Sequence, residues 1–240
     1  MSRLTLPLAA LAGLLIGGLA VYLFTTSRHG APLGERARME AVVRDYVLSH
    51  PELIPEAMQR LQDKQTGSAV ALNRKAIQTP FGNAWAGNPR GDVTVVEYFD
   101  YNCGYCRASL PLVRQLIASD PNVKVVFREW PILAQSSVDA ARLSLAAAEQ
   151  GKFEAFHDAL YNAGPVSPET MRAAAAKAGV DPAGVARLGD RADKEIALNR
   201  QVARDLGLNG TPSWVIGDKV VSSMLPLDKL QQLVAEARTK

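Results

Sequence analysis

Cysteine is almost absent from this chain: of 240 residues only Cys103 and Cys106 carry a thiol. A framework of several disulfides is therefore excluded, and the only disulfide the chain can close within itself joins this pair. Histidine is scarce too. His29, His50 and His157 are scattered through the sequence, so a tetrahedral zinc site built on a C-x-x-C lacks its usual two further ligands. No basic run and no interleaving of basic with aromatic residues occurs, and the net charge is +3, which leaves nothing to suggest nucleic acid. With 48% hydrophobic and 21% charged residues, the composition is that of a globular chain long enough for one core and an appendage.

Charge is missing altogether from one stretch. After Met1-Ser2-Arg3, residues 4–26 carry no charged side chain and are mostly Leu, Ala, Gly, Ile and Val. Such a run spans a bilayer core and is longer than the usual h-region of a signal peptide, and it shows no clean A-x-A site before Val21-Tyr22-Leu23-Phe24. Residues 1–29 are expected to form an uncleaved signal anchor in the membrane, with a cleaved signal peptide as the alternative. Arg3 on one flank is opposed by Arg28, Arg36 and Arg38 on the other, so positive charge does not set the orientation.

What is present centres on Val93-Thr94-Val95-Val96-Glu97-Tyr98-Phe99-Asp100-Tyr101-Asn102-Cys103-Gly104-Tyr105-Cys106. An apolar run rich in β-branched and aromatic residues reads as a buried strand and leads into a C-x-x-C that opens an amphipathic helical pattern. Unpaired N–H groups and the positive end of the macrodipole favour an anion there, so Cys103 is expected to have a depressed pKa. Cys106, one turn on, is placed to close a disulfide with it, and the pair can cycle between dithiol and disulfide. A purely structural bridge fits poorly, because so short a loop removes little unfolded-state entropy. Pro111 is expected to kink the helix. Far downstream, Gly210-Thr211-Pro212-Ser213-Trp214-Val215-Ile216 offers a turn, an X-Pro bond and a short strand.

Phe99-Asp100-Tyr101-Asn102-Cys103-Gly104-Tyr105-Cys106 resembles the active-site signature of the DsbA-type thioredoxin-fold oxidoreductases, and Gly210-Thr211-Pro212 resembles their cis-proline loop. The resemblance implies an α/β thioredoxin-like domain over residues 87–240 with a helical insertion at 134–207. It implies that Cys103 is the exposed attacking thiol and Cys106 the resolving one, and that Thr211-Pro212 is a cis peptide whose Thr211 backbone pairs with an extended substrate. It also implies that Glu97 is a buried acid relaying a proton to or from Cys106, the alternative being a carboxylate in water at a sheet edge. No cofactor is implied. The partners are expected to be protein thiols and disulfides and a membrane redox partner, in an oxidising compartment such as the periplasm. Gly104-Tyr105 replaces the Pro-His of the best-known strong oxidant, so disulfide donor and isomerase or reductase both stay open. A copper(I)-binding metal-tolerance protein using the same two thiolates is the alternative function.

Residues 35–79 read as helical, with Met39, Val42, Val43, Tyr46 and Val47 on one helix face. Leu53, Ile54, Ala57, Met58 and Leu61 follow on another, beyond a break at Ser49-His50-Pro51-Glu52. Two short amphipathic helices cannot bury those faces alone. The segment resembles the N-terminal region of ScsC-like members of the DsbA group, which implies a homo-oligomer, dimer or trimer, with packing in cis as the alternative. Met39, Met58 and Tyr46 are read as packing residues and not as a copper-binding methionine box. Residues 65–88 are expected to form a linker into the catalytic domain that contains Thr66-Gly67-Ser68, a further helical patch to Ile77 and then Thr79-Pro80-Phe81-Gly82-Asn83, with Trp85 as packing. A strand is expected over 123–130, with Glu129 either near the site or at a solvated strand end. Helices are expected at 137–150, 153–162 and 167–178, then one from Asp181-Pro182 to Leu206. His157 is read as a packing histidine before a catalytic base. Lys219-Val220-Val221 closes a hairpin ahead of a terminal helix.

Overall fold

The computed structural model describes residues 17–19, 21–22 and 33–239. The expected membrane anchor at residues 1–29 otherwise lies outside the described residues, among which no helix is long and apolar enough to cross a membrane. The chain divides into two compact units, Met1–Arg60 and Leu61–Lys240.

In the first unit, α1 (Leu33–Ser49) ends where the Ser49 hydroxyl donates back to the Asp45 carbonyl at 2.7 Å and the His50 ring stacks on Tyr46 at 4.3 Å. Pro51 then separates it from α2 (Leu53–Gln78). Met39, Val42, Val43, Tyr46, Leu48, Ile54 and Met58 are all exposed.

The second unit takes in residues 61–78 of α2, which continue unbroken through the stretch expected to interrupt them. Thr66 and Ser68 donate their hydroxyls to the carbonyls of Gln62 and Lys64, each at 2.9 Å and four residues back, so both polar side chains are satisfied inside the helix. Val70 and Ile77 bury one face of this stretch. The remaining linker also contains a strand that the sequence reading missed, β1 (Trp85–Gly87). Three residues are too few for a period-2 pattern to show.

The sheet has the order β1-β3-β2-β4-β5, with β2 (Val93–Phe99) parallel to β3 (Val123–Glu129). β1 is antiparallel to β3, β4 (Ser213–Ile216) to β2, and β5 (Lys219–Val221) to β4. Alternation along β2 and β3 divides the core in two. Val93, Val95, Phe99, Val123, Val125 and Phe127 pack with α3 (Gly104–Ser119) and α9 (Leu227–Arg238), while Val96, Tyr98 and Val126 pack with α2 and α8 (Arg191–Asp205). Covering both faces explains why β2 reads as a continuous apolar run.

Between β3 and β4 the chain is helical: α4 (Gln135–Glu149), α5 (Phe153–Asn162), α6 (Pro168–Ala178), α7 (Gly184–Leu188) and α8. Ser167 and Thr170 form a reciprocal capping box at the start of α6, and Gly179 ends it in the left-handed region at φ 67°. The single helix expected from Asp181 to Leu206 is instead two, α7 and α8, because Gly189 turns at φ 55°, where a side chain is strained.

Arg128 ties three of these elements together. Its buried guanidinium donates to the carbonyls of Ile77 (3.1 Å), Thr79 (2.5 Å) and Ala76 at the end of α2, and to Glu195 of α8 at 2.6 Å. Truncation would strand three carbonyls and a carboxylate in a largely dry site. Arg128→Ala should therefore lower unfolding free energy by about 3–5 kcal/mol. Arg36→Ala, which breaks an exposed i,i+4 pair with Glu40, should cost less than about 1 kcal/mol. Denaturant titration of the two variants checks both.

Candidate active site

Strand β2 delivers the site. Its last residue, Phe99, is followed by a tight loop, Asp100-Tyr101-Asn102, that sets Cys103 at the N-cap of α3 in an extended conformation, φ −81° and ψ 115°. The Cys103 Sγ accepts the Cys106 N–H at 3.4 Å, one of the helix's otherwise unpaired donors. As a thiol, Cys103 donates to the Thr211 carbonyl at 3.1 Å. Both cysteines are free, so this is the dithiol form, and Cys103, expected to be exposed, is buried at 7% against 1% for Cys106, because its sulfur turns in to the Cys106 N–H and the Thr211 carbonyl.

The two sulfurs are driven in opposite directions. Hydrogen bonding from Cys106, helped by Thr211 and by the backbone of Cys106 and Tyr105, holds the Cys103 thiol down at about 5. Burial, then the hydrogen bond to Cys103 and the charge of Glu97, pushes the Cys106 thiol far above the ordinary thiol range.

Glu97 is buried at 3% exposure, which removes the alternative of a carboxylate in water. Alternation along β2 puts it on the same face as Val95 and Phe99, and it pairs in register with Phe127 and Trp214. Burial first, and the Cys103 charge second, raise its carboxyl to about 8. Thr211-Pro212 is a cis peptide, and it leads directly into β4 beside β2. The structure thus brings Cys103, Cys106, Glu97 and the Thr211-Pro212 loop into one neighbourhood.

His157 lies beneath this group and is buried. Its Nδ1 is 3.0 Å from the Tyr101 hydroxyl, which also meets the Ser144 hydroxyl at 2.9 Å, and Phe99, Phe127, Phe153 and Tyr161 surround the ring. Burial, with a smaller effect of Arg114, holds the imidazole near 3, so it is neutral and packs. Glu129 is buried as well, not a solvated strand end; burial pushes its carboxyl well up, and its Oε1 has no partner. Trp85 is partly buried with the Lys124 ammonium 5.9 Å above its ring.

Asp100 was missed as a site residue. It is 1% exposed, and its carboxylate accepts the N–H groups of Asn102 (2.8 Å), Ile132 (2.8 Å) and Leu133 (3.0 Å). An Asp directly after a strand and two residues before the receiving N–H is an Asx-turn signal, the one local cue available for it.

A dithiol at the N-terminus of a helix, next to a cis-proline loop on a five-stranded mixed sheet with a helical insertion, defines a thioredoxin-like protein of the DsbA kind. The family described as DSBA-like thioredoxin domain matches residues 94–235, and the chain belongs to it. The Copper resistance protein ScsC N-terminal domain matches residues 35–66. Among solved structures, a thioredoxin-like oxidoreductase from Silicibacter pomeroyi DSS-3 is 42% identical with a TM-score of 0.66, covering 70% of this chain and 99% of its own. A linker-deletion mutant of Proteus mirabilis ScsC is 26% identical with a TM-score of 0.68, covering 88% of this chain and 98% of its own. The curated relatives it matches are sodium/proton antiporters. NhaA 3 of Salinispora tropica is 44% identical over 73 residues, 28% of this chain, and NhaA 1 of Salinispora arenicola is 29% identical over 160 residues, 60% of this chain. The chain spans 11% and 23% of their lengths.

Alkylation of Cys103 in the reduced protein should titrate with a midpoint near pH 5, with Cys106 unreactive over the same range. The folded-state value lies below the ordinary 9.0, so the thiolate stabilises the reduced fold fully above pH 9 and loses that effect as pH falls through 5. Reduced wild type compared with Cys103→Ser should therefore show a stability difference that grows with pH across this window, read by thermal unfolding at several pH values.

Proposed function

We propose that the chain exchanges thiols and disulfides with protein substrates, Cys103 attacking and Cys106 resolving. The observation that carries this reading is the geometry of the two buried sulfurs, Cys103 accepting an N–H at a helix N-terminus and Cys106 more deeply buried one turn on. Starting from the dithiol, the Cys103 thiolate attacks a substrate disulfide, forms a mixed disulfide and expels one substrate thiolate. Cys106 then gives its proton to Glu97 and attacks the Cys103 sulfur, which releases the second substrate thiolate and leaves the Cys103–Cys106 disulfide. Substrate has been reduced by two electrons. In reverse, a substrate thiolate attacks the protein disulfide and leaves oxidised. Glu97, with its carboxyl at about 8, can take the Cys106 proton and return it near neutral pH. The Thr211 carbonyl, 3.1 Å from the Cys103 sulfur, supports a role for Thr211 in pairing with an extended substrate backbone.

A thiolate at about 5 favours the dithiol form and so drives the pair toward the oxidising side. We place the activity there, as a disulfide donor or isomerase in the periplasm, held by the N-terminal segment in the inner membrane and served by a membrane redox partner. The domain organisation that goes with this is an anchor at 1–29, a helical segment at 35–79 whose residues up to 60 are free to oligomerise while 61–78 pack in the second unit, and a catalytic domain at 87–240 with its insertion at 134–207. The exposed apolar residues of α1, in a region matching an ScsC N-terminal domain, support self-association as a dimer or trimer. That same match, to a domain named for copper resistance, favours a second reading in which the two thiolates bind copper(I).

Cys106→Ser should accumulate mixed disulfides between Cys103 and protein partners, seen as reducible adducts on gels; copper loss with no adduct would sink the exchange reading. Equilibrium with glutathione should return a potential nearer the about −120 mV of DsbA than the about −270 mV of thioredoxin. A value at the thioredoxin end would make the chain a reductase.

A further inference from the structure

Behind Cys103, helix α3 carries a charged cleft that the exchange chemistry leaves unused. The Arg107 N–H donates to the Cys103 carbonyl at 3.1 Å, and Leu110, Pro111 and Arg114 continue at helical spacing, so these residues share the side of α3 that Cys103 begins. With Tyr161 and Asn162 of α5 they line a cavity of about 330 Å³, the size of a small-molecule site. Its two cations differ. Arg114 pairs with Asp158 of α5. Arg107, among the described residues, has no carboxylate partner: Nη2 donates to the Gly164 carbonyl at 2.7 Å, and Nε is buried without an acceptor. One positive charge is therefore left over in a partly dry site, where screening is weak and a carboxylate would be held by charge-assisted hydrogen bonds. Four residues of helix place the Arg107 backbone about 6 Å along the axis from Cys103, a gap that one or two residues of extended peptide span.

We propose that this cleft is a carboxylate subsite for a small anionic disulfide, of the class of oxidised glutathione, in which Arg107 holds a terminal carboxylate while the sulfur next to it meets Cys103. This rests on the exchange reading above. The Cys103 thiolate attacks one sulfur of the small disulfide, whose S–S bond breaks and releases one small thiolate. Cys106 then gives its proton to Glu97, attacks the Cys103 sulfur and releases the second thiolate, so the small disulfide takes two electrons and the chain is left oxidised. Small oxidised thiols thereby reload the cysteine pair without a protein partner.

Rates with glutathione disulfide and with the neutral hydroxyethyl disulfide separate the subsite from the reactivity of Cys103, since both reactions use the same thiolate. Their ratio should fall about tenfold in Arg107→Gln. It should stay at the wild-type value in Arg90→Gln, which removes an equal charge before the far end of β2. Binding is read without turnover by titrating S-methylglutathione, whose sulfur cannot exchange, into the reduced protein. Amide resonances of α3 should shift to saturation with a Kd of about 1 mM in the wild type, and binding should be about tenfold weaker in Arg107→Gln. An unchanged rate ratio in the Arg107 variant, an equal fall in Arg90→Gln, or no saturable shift in the wild type would overturn the proposal. So would a loss in Arg107→Gln confined to peptide disulfides with an Asp beside the cysteine, which would make the cleft a reader of polypeptide charge. A wild type that binds S-methylglutathione yet is inert toward both disulfides would defeat the exchange reading while the carboxylate site stands.

Discussion

The Cys103 sulfur accepts a backbone N–H at the first turn of α3, and this contact is what the surrounding structure is arranged to serve. A thiolate is stable at that point because the Cys106 thiol hydrogen-bonds to it and the helix adds oriented backbone donors, so no lysine, arginine or histidine need be near. The cost appears one turn away. Cys106 and Glu97 are both buried on the same side of the sheet, where each resists ionising, and the Cys103 charge raises Glu97 further. Three ionisable groups therefore share few charges, and moving one proton among them is the step on which exchange depends.

Holding this arrangement takes more than the redox loop. Tyr161 of α5 donates to the Asp100 carbonyl, Asn102 donates to Ser136 and Ser137 at the start of α4, and Tyr101 reaches Ser144 and His157 deeper in α4 and α5. The helical insertion is thus bonded to Asp100, Tyr101 and Asn102, the three residues that lead from β2 to Cys103. A neutral imidazole suits this position, since a cation among Phe99, Phe127, Phe153 and Tyr161 would be buried without a counter-ion.

Local pattern was enough for β2, for the helix that Cys103 opens and for the capped helix from Ser167, because each is marked by apolar periodicity joined to a cap or a turn residue. It failed where contacts override propensity. Thr66-Gly67-Ser68 reads as a break yet lies inside α2, whose Val70 and Ile77 are buried while the hydroxyls are satisfied within the helix. Trp85–Gly87 reads as linker and becomes a strand because β3 offers it a free edge. The helix expected from Asp181-Pro182 to Leu206 is interrupted because Gly189 turns the chain.

By itself the sequence determined the two-cysteine centre, its place between a strand and a helix, and the Thr-Pro turn far downstream, since each depends on residues adjacent in the chain. Burial was decided by the tertiary structure. Only the covering of β2 by helices on both faces makes Glu97 and Glu129 reluctant acids, makes His157 a neutral packing residue and gives Asp100 two loops to join. The reason is that a charge's free energy depends on the dielectric and the donors around it, and those are supplied by residues dozens of positions away.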